Sequence, residues 1–201
     1  YGRKAAARLA AGSGAMLVET GLPMGLKGTA RWLEAVRRAA GLTGPLPPAV
    51  AALEAQAARD MAPALDVLAH RNMVYAGDPY LFAAVSSFAS ELRMRVPAAF
   101  IDSLTRPLDC SQLPDKLLFS PGTEEAAAVV RSLSGYSTPH LAVGNSFAVT
   151  EKLAPGLPFT ELGFPSYGHH CLSDEPFFGF SGARTLTGRM INCLRGGNSG
   201  R

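Results

Sequence analysis

The sequence predicts an α/β protein: a doubly wound, Rossmann-like parallel sheet, with part of a similar α/β domain before it. Three observations carry this. From Asn72 onward, short apolar runs alternate with amphipathic segments of helical length. Those segments are long enough to be crossover helices, which makes the strands they join parallel. Turn residues such as Gly77-Asp78-Pro79 stand where one kind of segment gives way to the next.

Arg3 to Ala11 is Ala-rich and reads as a helix, closed by Gly12-Ser13-Gly14. Ala15 to Glu19 is a short apolar run that suits a buried strand, and Gly21 to Gly25 a turn. Thr29 to Ala40 is amphipathic, with Trp32, Leu33 and Val36 on one face and Gly41 as its stop. Leu42 to Pro48 is a Pro/Gly connector. It divides the chain into residues 1–48, the end of a preceding domain plus connector, and residues 49–195, the main domain. Ala49 to His70 is helical, with Pro63 expected to kink or split it.

Met73 to Ala76 is the first strand of the main domain. Asp78 is placed to cap the next helix and Pro79 to occupy its first position; Leu81, Val85, Phe88 and Leu92 follow at helical spacing. Val96 to Ile101 is a second strand, Thr105 to Asp115 irregular, and Lys116 to Phe119 a third strand. Pro121 opens a helix through about Leu133, with Glu124 and Glu125 favourably placed in its first turn. Leu141 to Val143 is a fourth strand, and Gly144-Asn145-Ser146 opens a short helix. Leu157 to Leu162 is a fifth strand, and Phe180 to Leu194 the last helix. Residues 196–201 have no apolar anchor and read as a disordered tail.

Composition removes several classes. The 201 residues are 47% hydrophobic and 17% charged, enough for a substantial core. A net charge of +3, with scattered basic residues, does not point to nucleic acid. No apolar run approaches the roughly 20 residues needed to span a membrane, and no signal peptide is visible. Cys110, Cys171 and Cys193 form no CxxC pair, which suits a reducing cytoplasm. The chain begins Tyr1-Gly2-Arg3-Lys4, as if within a helix, so a piece of a longer protein is expected.

Ligands of doubly wound sheets bind beyond the carboxyl ends of the strands. That selects the turns Gly77-Asp78 and Gly144-Asn145-Ser146, the segment Ser120 to Thr123, and the loop Gly163 to Ser173. Gly144-Asn145-Ser146 suits a tight turn with a cap, and its N–H groups would equally suit an anion. No GxGxxG or GxxxxGK[ST] is present, so any ATP hydrolysis belongs to another protein. His169, His170 and Cys171 are metal-ligating types, but adjacent residues on one loop lack the spacing of a ligand set; contact with a partner subunit is the plainer reading. Cys193 reads as a small buried residue, and Trp32 and Phe177-Phe178 as core or interface. No GxSxG elbow or Ser-His-Asp order supports a hydrolase, and no catalytic residue is assigned.

Phe159-Thr-Glu-Leu-Gly163-Phe164-Pro165-Ser166-Tyr167-Gly168-His169-His170, followed by Gly179-Phe-Ser-Gly182-Ala183 and Ile191-Asn192, resembles the C-terminal signature of nitrogenase component 1 subunits. Gly144-Asn145-Ser146 matches that family's GNS turn, and Ala76-Gly77-Asp78-Pro79 its GDP turn. Leu22-Pro23-Met24-Gly25-Leu-Lys-Gly28-Thr29 is similar to its helix entry. The resemblance implies a segment of a nitrogenase-like reductase: paired homologous component 1 subunits, often heterotetramers, receiving electrons from a separate ATP-hydrolysing iron protein. It implies iron–sulfur clusters in the full complex, with ligands outside this segment, and reduction of dinitrogen or a tetrapyrrole. A non-catalytic scaffold for metallocluster assembly is the alternative within the family; a small-molecule-binding Rossmann-like domain is the alternative outside it. In α-type nitrogenase subunits a molybdenum-ligating His follows the strand matching Leu157–Leu162. Gly163 stands there in this sequence, nearer the β-type or tetrapyrrole-reductase pattern, so no metal-ligand role is carried over. The resemblance instead makes Gly163, Ser166, Tyr167, His169, His170 and Cys171 a cluster-proximal or partner-contacting loop.

Overall fold

Alternation along the strands decides the layering, because successive side chains of a strand point to opposite faces. The computed structural model describes residues 2–103, 113–146, 153–168 and 174–196. Its elements are α1 (Gly2–Ser13), α2 (Gly25–Ala39), α3 (Pro48–Leu68), β1 (Asn72–Gly77), α4 (Pro79–Glu91), β2 (Arg95–Ile101), β3 (Lys116–Phe119), α5 (Thr123–Ser132), a 3-10 turn (Gly135–Ser137), β4 (Leu141–Gly144), β5 (Phe159–Glu161) and α6 (Gly179–Gly196). The strands form one sheet in the order β3-β2-β1-β4-β5, every neighbouring pair parallel.

On one face Met73, Tyr75, Ala99, Ile101, Leu141 and Val143 meet α3, α4 and α6 through Leu68, Phe82, Val85, Phe88, Leu186 and Met190, all buried. On the other face Val74, Ala76, Ala98, Phe100 and Ala142 meet Ala126 and Val130 of α5. The sheet is therefore covered on both sides, as its near-continuous apolar strands require. Complete burial of each larger side chain contributes roughly 1.5–3 kcal/mol against the chain's conformational entropy.

Local chemistry sets the element ends. Asp78 accepts from the backbone N–H groups of Tyr80 (2.7 Å) and Leu81 (3.1 Å), and Pro79 follows at the first helical position. Such a cap is worth about 1 kcal/mol. α2 is capped from a distance: the Glu91 carboxylate, at the end of α4, accepts from Leu26 N at 2.8 Å and Lys27 N at 3.1 Å. Gly25 lets this happen. Its φ is +74°, and a Cβ there would sit 2.7 Å from both Glu91 Oε1 and Phe88 Cδ2.

Two expectations need correction. Ala15 to Glu19 is irregular rather than a strand, and Met16 and Leu17 are exposed. Among the described residues no strand pairs with it, and an apolar run without a pairing partner gains nothing from extended geometry. Pro63 does not split the helix over residues 48–68, which continues through it as one element. The carbonyl that loses its donor is that of Arg59, one turn earlier, and Arg59 is exposed, so solvent can serve it. α2 packs on α4 and α6, with Met24 buried in the same core. Most of Thr105–Asp115, the helix following Ser146, and the tail after Gly196 lie outside the described residues.

Candidate functional site

From β1 the chain winds outward through β2 to β3, then returns to β4 and continues to β5. The direction reverses between β1 and β4, and the crevice at their carboxyl ends is where an open α/β sheet offers a site. The turns Gly77-Asp78 and Gly144-Asn145-Ser146 meet there, because Ala76 pairs with Gly144 in register.

Asn145 is almost fully buried and joins four strand ends. Its backbone N–H donates to Ala76 O at 3.2 Å. Its side-chain amide donates to Asp102 Oδ2 at 2.6 Å and to Phe164 O at 3.3 Å. Asp102 follows β2, and its own N–H donates to Gly77 O at 3.0 Å. Beneath them the buried Tyr75 hydroxyl donates to Asp78 O at 2.8 Å. Burial first, then the nearby Asp78 and Asp102 carboxylates, holds that phenol far above its ordinary range. Tyr75 is thus a neutral strut at any physiological pH.

Ser146 and Glu161 make a second cluster. Ser146 N donates to Pro165 O at 2.9 Å. The Ser146 hydroxyl donates to Glu161 Oε1 in a close contact and accepts from Tyr167 N at 2.6 Å. Glu161 Oε1 also accepts from Tyr167 N at 3.0 Å and Gly168 N at 3.4 Å. Burial pushes the Glu161 carboxyl upward, but the Ser146 hydroxyl and the two amides outweigh it and hold it below the ordinary range. Glu161 is therefore ionised at neutral pH.

The two clusters fix the loop Gly163 to Gly168. The loop turns its rings outward: Phe164 is 89% and Tyr167 68% exposed. Gly163 is required by its backbone. Its φ is +115°, and a Cβ would lie 3.3 Å from Leu81 Cδ1 and 3.6 Å from Asn145 Cβ. An imidazole at this position would need a different path for the chain. On the far side, Arg189 pairs with Glu175 and lies 4.8 Å over the Phe177 ring, holding the approach to α6.

The structure thus brings together Gly77, Asp78, Gly144, Asn145, Ser146, Gly163, Ser166 and Tyr167. His169, His170, Cys171 and Cys110 lie outside the described residues. Asp102 and Glu161 were missed by sequence reasoning. The signal that could have found them is an acidic residue at the carboxyl end of an apolar strand. Cys193 is only partly buried; its thiol donates to Phe159 O at 3.0 Å, and desolvation pushes it up, so it is not a reactive thiolate. A separate hollow of about 830 Å³ lies between the segment Glu19–Met24 and α4, with Leu22, Arg31, Tyr80 and Ser87 in its walls.

Residues 1–195 match the family described as nitrogenase component 1 type oxidoreductase. The chain belongs to that family. It is 27% identical over 189 residues to the nitrogenase molybdenum-iron protein beta chain of Frankia alni, covering 89% of this chain and 34% of that protein. The chain thus spans about a third of the length of that curated relative. A solved structure titled "Nitrogenase Cp1 at pH 6.5" superposes with a TM-score of 0.74 at 18% identity, covering 88% of this chain and 40% of that one, which supports a shared fold.

Nitrogenase component 1 membership raises the question of metal. Among the described residues, no group of three or more His, Cys, Asp or Glu side chains is placed to hold an ion. The carboxylates at the crevice are already engaged, Asp102 with Asn145 and Glu161 with Ser146, Tyr167 and Gly168. The described part of this segment does not fit a cluster's ligand set, and no redox step is derived through it. Among the described residues, no helix is long and apolar enough to cross a membrane.

Proposed function

We propose that this chain is a segment of a nitrogenase-like reductase subunit of the β-type or tetrapyrrole-reductase branch. The observation that carries the reading is the family match over residues 1–195, supported by the relationship to a molybdenum-iron protein beta chain. In this reading a second homologous subunit completes a cytoplasmic complex, often a heterotetramer. An ATP-hydrolysing iron protein delivers electrons, and iron–sulfur clusters held by residues outside this segment pass them to dinitrogen or a tetrapyrrole. The segment itself contributes placement and exclusion of water rather than acid–base groups.

The division into residues 1–48 and 49–195 is part of the same proposal, as is the role of the carboxyl edge. Gly163, Ser166 and Tyr167, with His169, His170 and Cys171, form the face toward a partner subunit or cluster. Gly77, Asp78, Gly144, Asn145 and Ser146 form the floor. The outward rings of Phe164 and Tyr167 support this, since exposed aromatics on a fixed loop favour contact with another surface.

The test is to purify the complete protein carrying this chain with its partner subunit, then measure iron and reduction driven by an iron protein and ATP. Bound iron with dependent turnover supports a reductase. Bound cluster without turnover favours the assembly scaffold. A metal-free protein that binds a small molecule at Gly144–Ser146 favours the third reading.

A further inference from the structure

We propose that Glu161 is a positioning residue: its carboxylate, acting through Ser146 and the amides of Tyr167 and Gly168, sets how the Phe164 and Tyr167 rings are presented at the carboxyl edge. The proposal rests on the reading of Gly163–Gly168 as a contact loop only for what the presentation is used for.

The geometry points this way because the loop is bonded to the strand ends beneath it. Its polar backbone groups are claimed by two strand ends. Phe164 O is taken by the Asn145 side chain and Pro165 O by Ser146 N. Tyr167 N is shared between Ser146 Oγ and Glu161 Oε1, and Gly168 N points to the same carboxylate oxygen. Both amides are donors that need an acceptor, and an ionised carboxylate accepts only. Its bonds are also the stronger, charge-assisted kind. Glu161 ends β5, so its backbone is fixed by the sheet; Leu162 N next to it donates to Gly144 O at 2.7 Å. The anchor is therefore held by the sheet, and the loop is held by the anchor. The fit is close: a Cβ on Gly168 would lie 3.3 Å from Glu161 Oε2.

Glu161→Gln keeps the shape and one acceptor but turns an amide NH2 toward donors. Ser146→Ala removes only the hydroxyl that bridges Glu161 to Tyr167. The experiment uses the complete protein labelled with 3-fluorotyrosine, read by fluorine NMR together with amide exchange. Either variant is expected to shift the Tyr167 line toward that of free tyrosine. Exchange at Tyr167 is expected to quicken several-fold in either variant, and exchange at Gly168 about tenfold in Glu161→Gln, where its charged acceptor is lost. The line of the buried Tyr75 should stay in place, which separates repositioning from unfolding. If Glu161→Gln moves the Tyr75 line as well, the milder Ser146→Ala decides. An unmoved Tyr167 line and unchanged exchange in a folded variant would overturn the proposal. The readout involves no cluster, iron protein or substrate, so failure of the reductase reading leaves this result standing.

Discussion

The side-chain amide of Asn145 donates to the Asp102 carboxylate at 2.6 Å, tying the carboxyl end of β4 to that of β2 across the end of β1. The same residue reaches β1 through Ala76 O and the loop after β5 through Phe164 O. One buried side chain thereby holds the mouth of the crevice at a set width. Asn145→Ala should lower unfolding stability by about 1.5–3 kcal/mol, the range for a hydrogen bond to a charged partner. Asn145→Asp should cost more, because it sets a second carboxylate against that of Asp102 across the same gap and donates to neither acceptor. Urea midpoints at an unchanged slope measure both.

Gly163 takes a backbone conformation that a residue with a side chain rarely adopts. With φ at +115° and Leu81 Cδ1 at 3.3 Å from a Cβ position, Gly163→Ala should destabilise by roughly 1–3 kcal/mol. Gly163→His should be worse and should not create a metal site. Titration with a divalent metal while following stability checks this: no metal-dependent stabilisation is expected.

Glu91 gives a pH signature. Burial raises its carboxyl above the ordinary range, against the lowering effect of the Lys27, Leu26 and Gly28 amides. A raised folded value means the protonated form is favoured by folding. That contribution is fully present below the unfolded value and is lost as pH rises through the folded one. Glu91→Gln should therefore flatten the stability profile across the weakly acid range. Paired denaturation curves at several pH values, wild type minus variant, isolate the effect.

Glu161 has the opposite sign. Its folded value is lowered, so its contribution is present above the unfolded value and disappears as pH falls through the folded one. Ser146→Ala removes the largest lowering influence and should shrink this acid-side loss. The same paired curves, extended to lower pH, read it.

Much of the fold was legible because burial on both faces writes each strand as a short apolar run. Met73–Ala76 and Leu141–Val143, buried throughout, needed no partner information. Asp78-Pro79 announced its helix start by capping chemistry alone. Ala15–Glu19 misled because an apolar run does not record whether a neighbouring strand exists. Pro63 misled because the cost of a missing N–H depends on whether solvent can serve the orphaned carbonyl, a tertiary fact. The floor of the site was legible as turns, and the family resemblance added its loop. Asp102 and Glu161 were not, since they become partners of Asn145 and Ser146 only when the strand order places β2 and β5 on either side of β1 and β4.

We propose that this chain works within a cluster-bearing component 1 reductase. Its most direct test is iron content together with iron-protein-dependent, ATP-dependent reduction by the complete protein assembled with its partner subunit. The expected result is bound iron–sulfur clusters and turnover of dinitrogen or a tetrapyrrole that stops when the iron protein or ATP is withheld. An assembled, folded complex that carries no iron and shows no such turnover would contradict it.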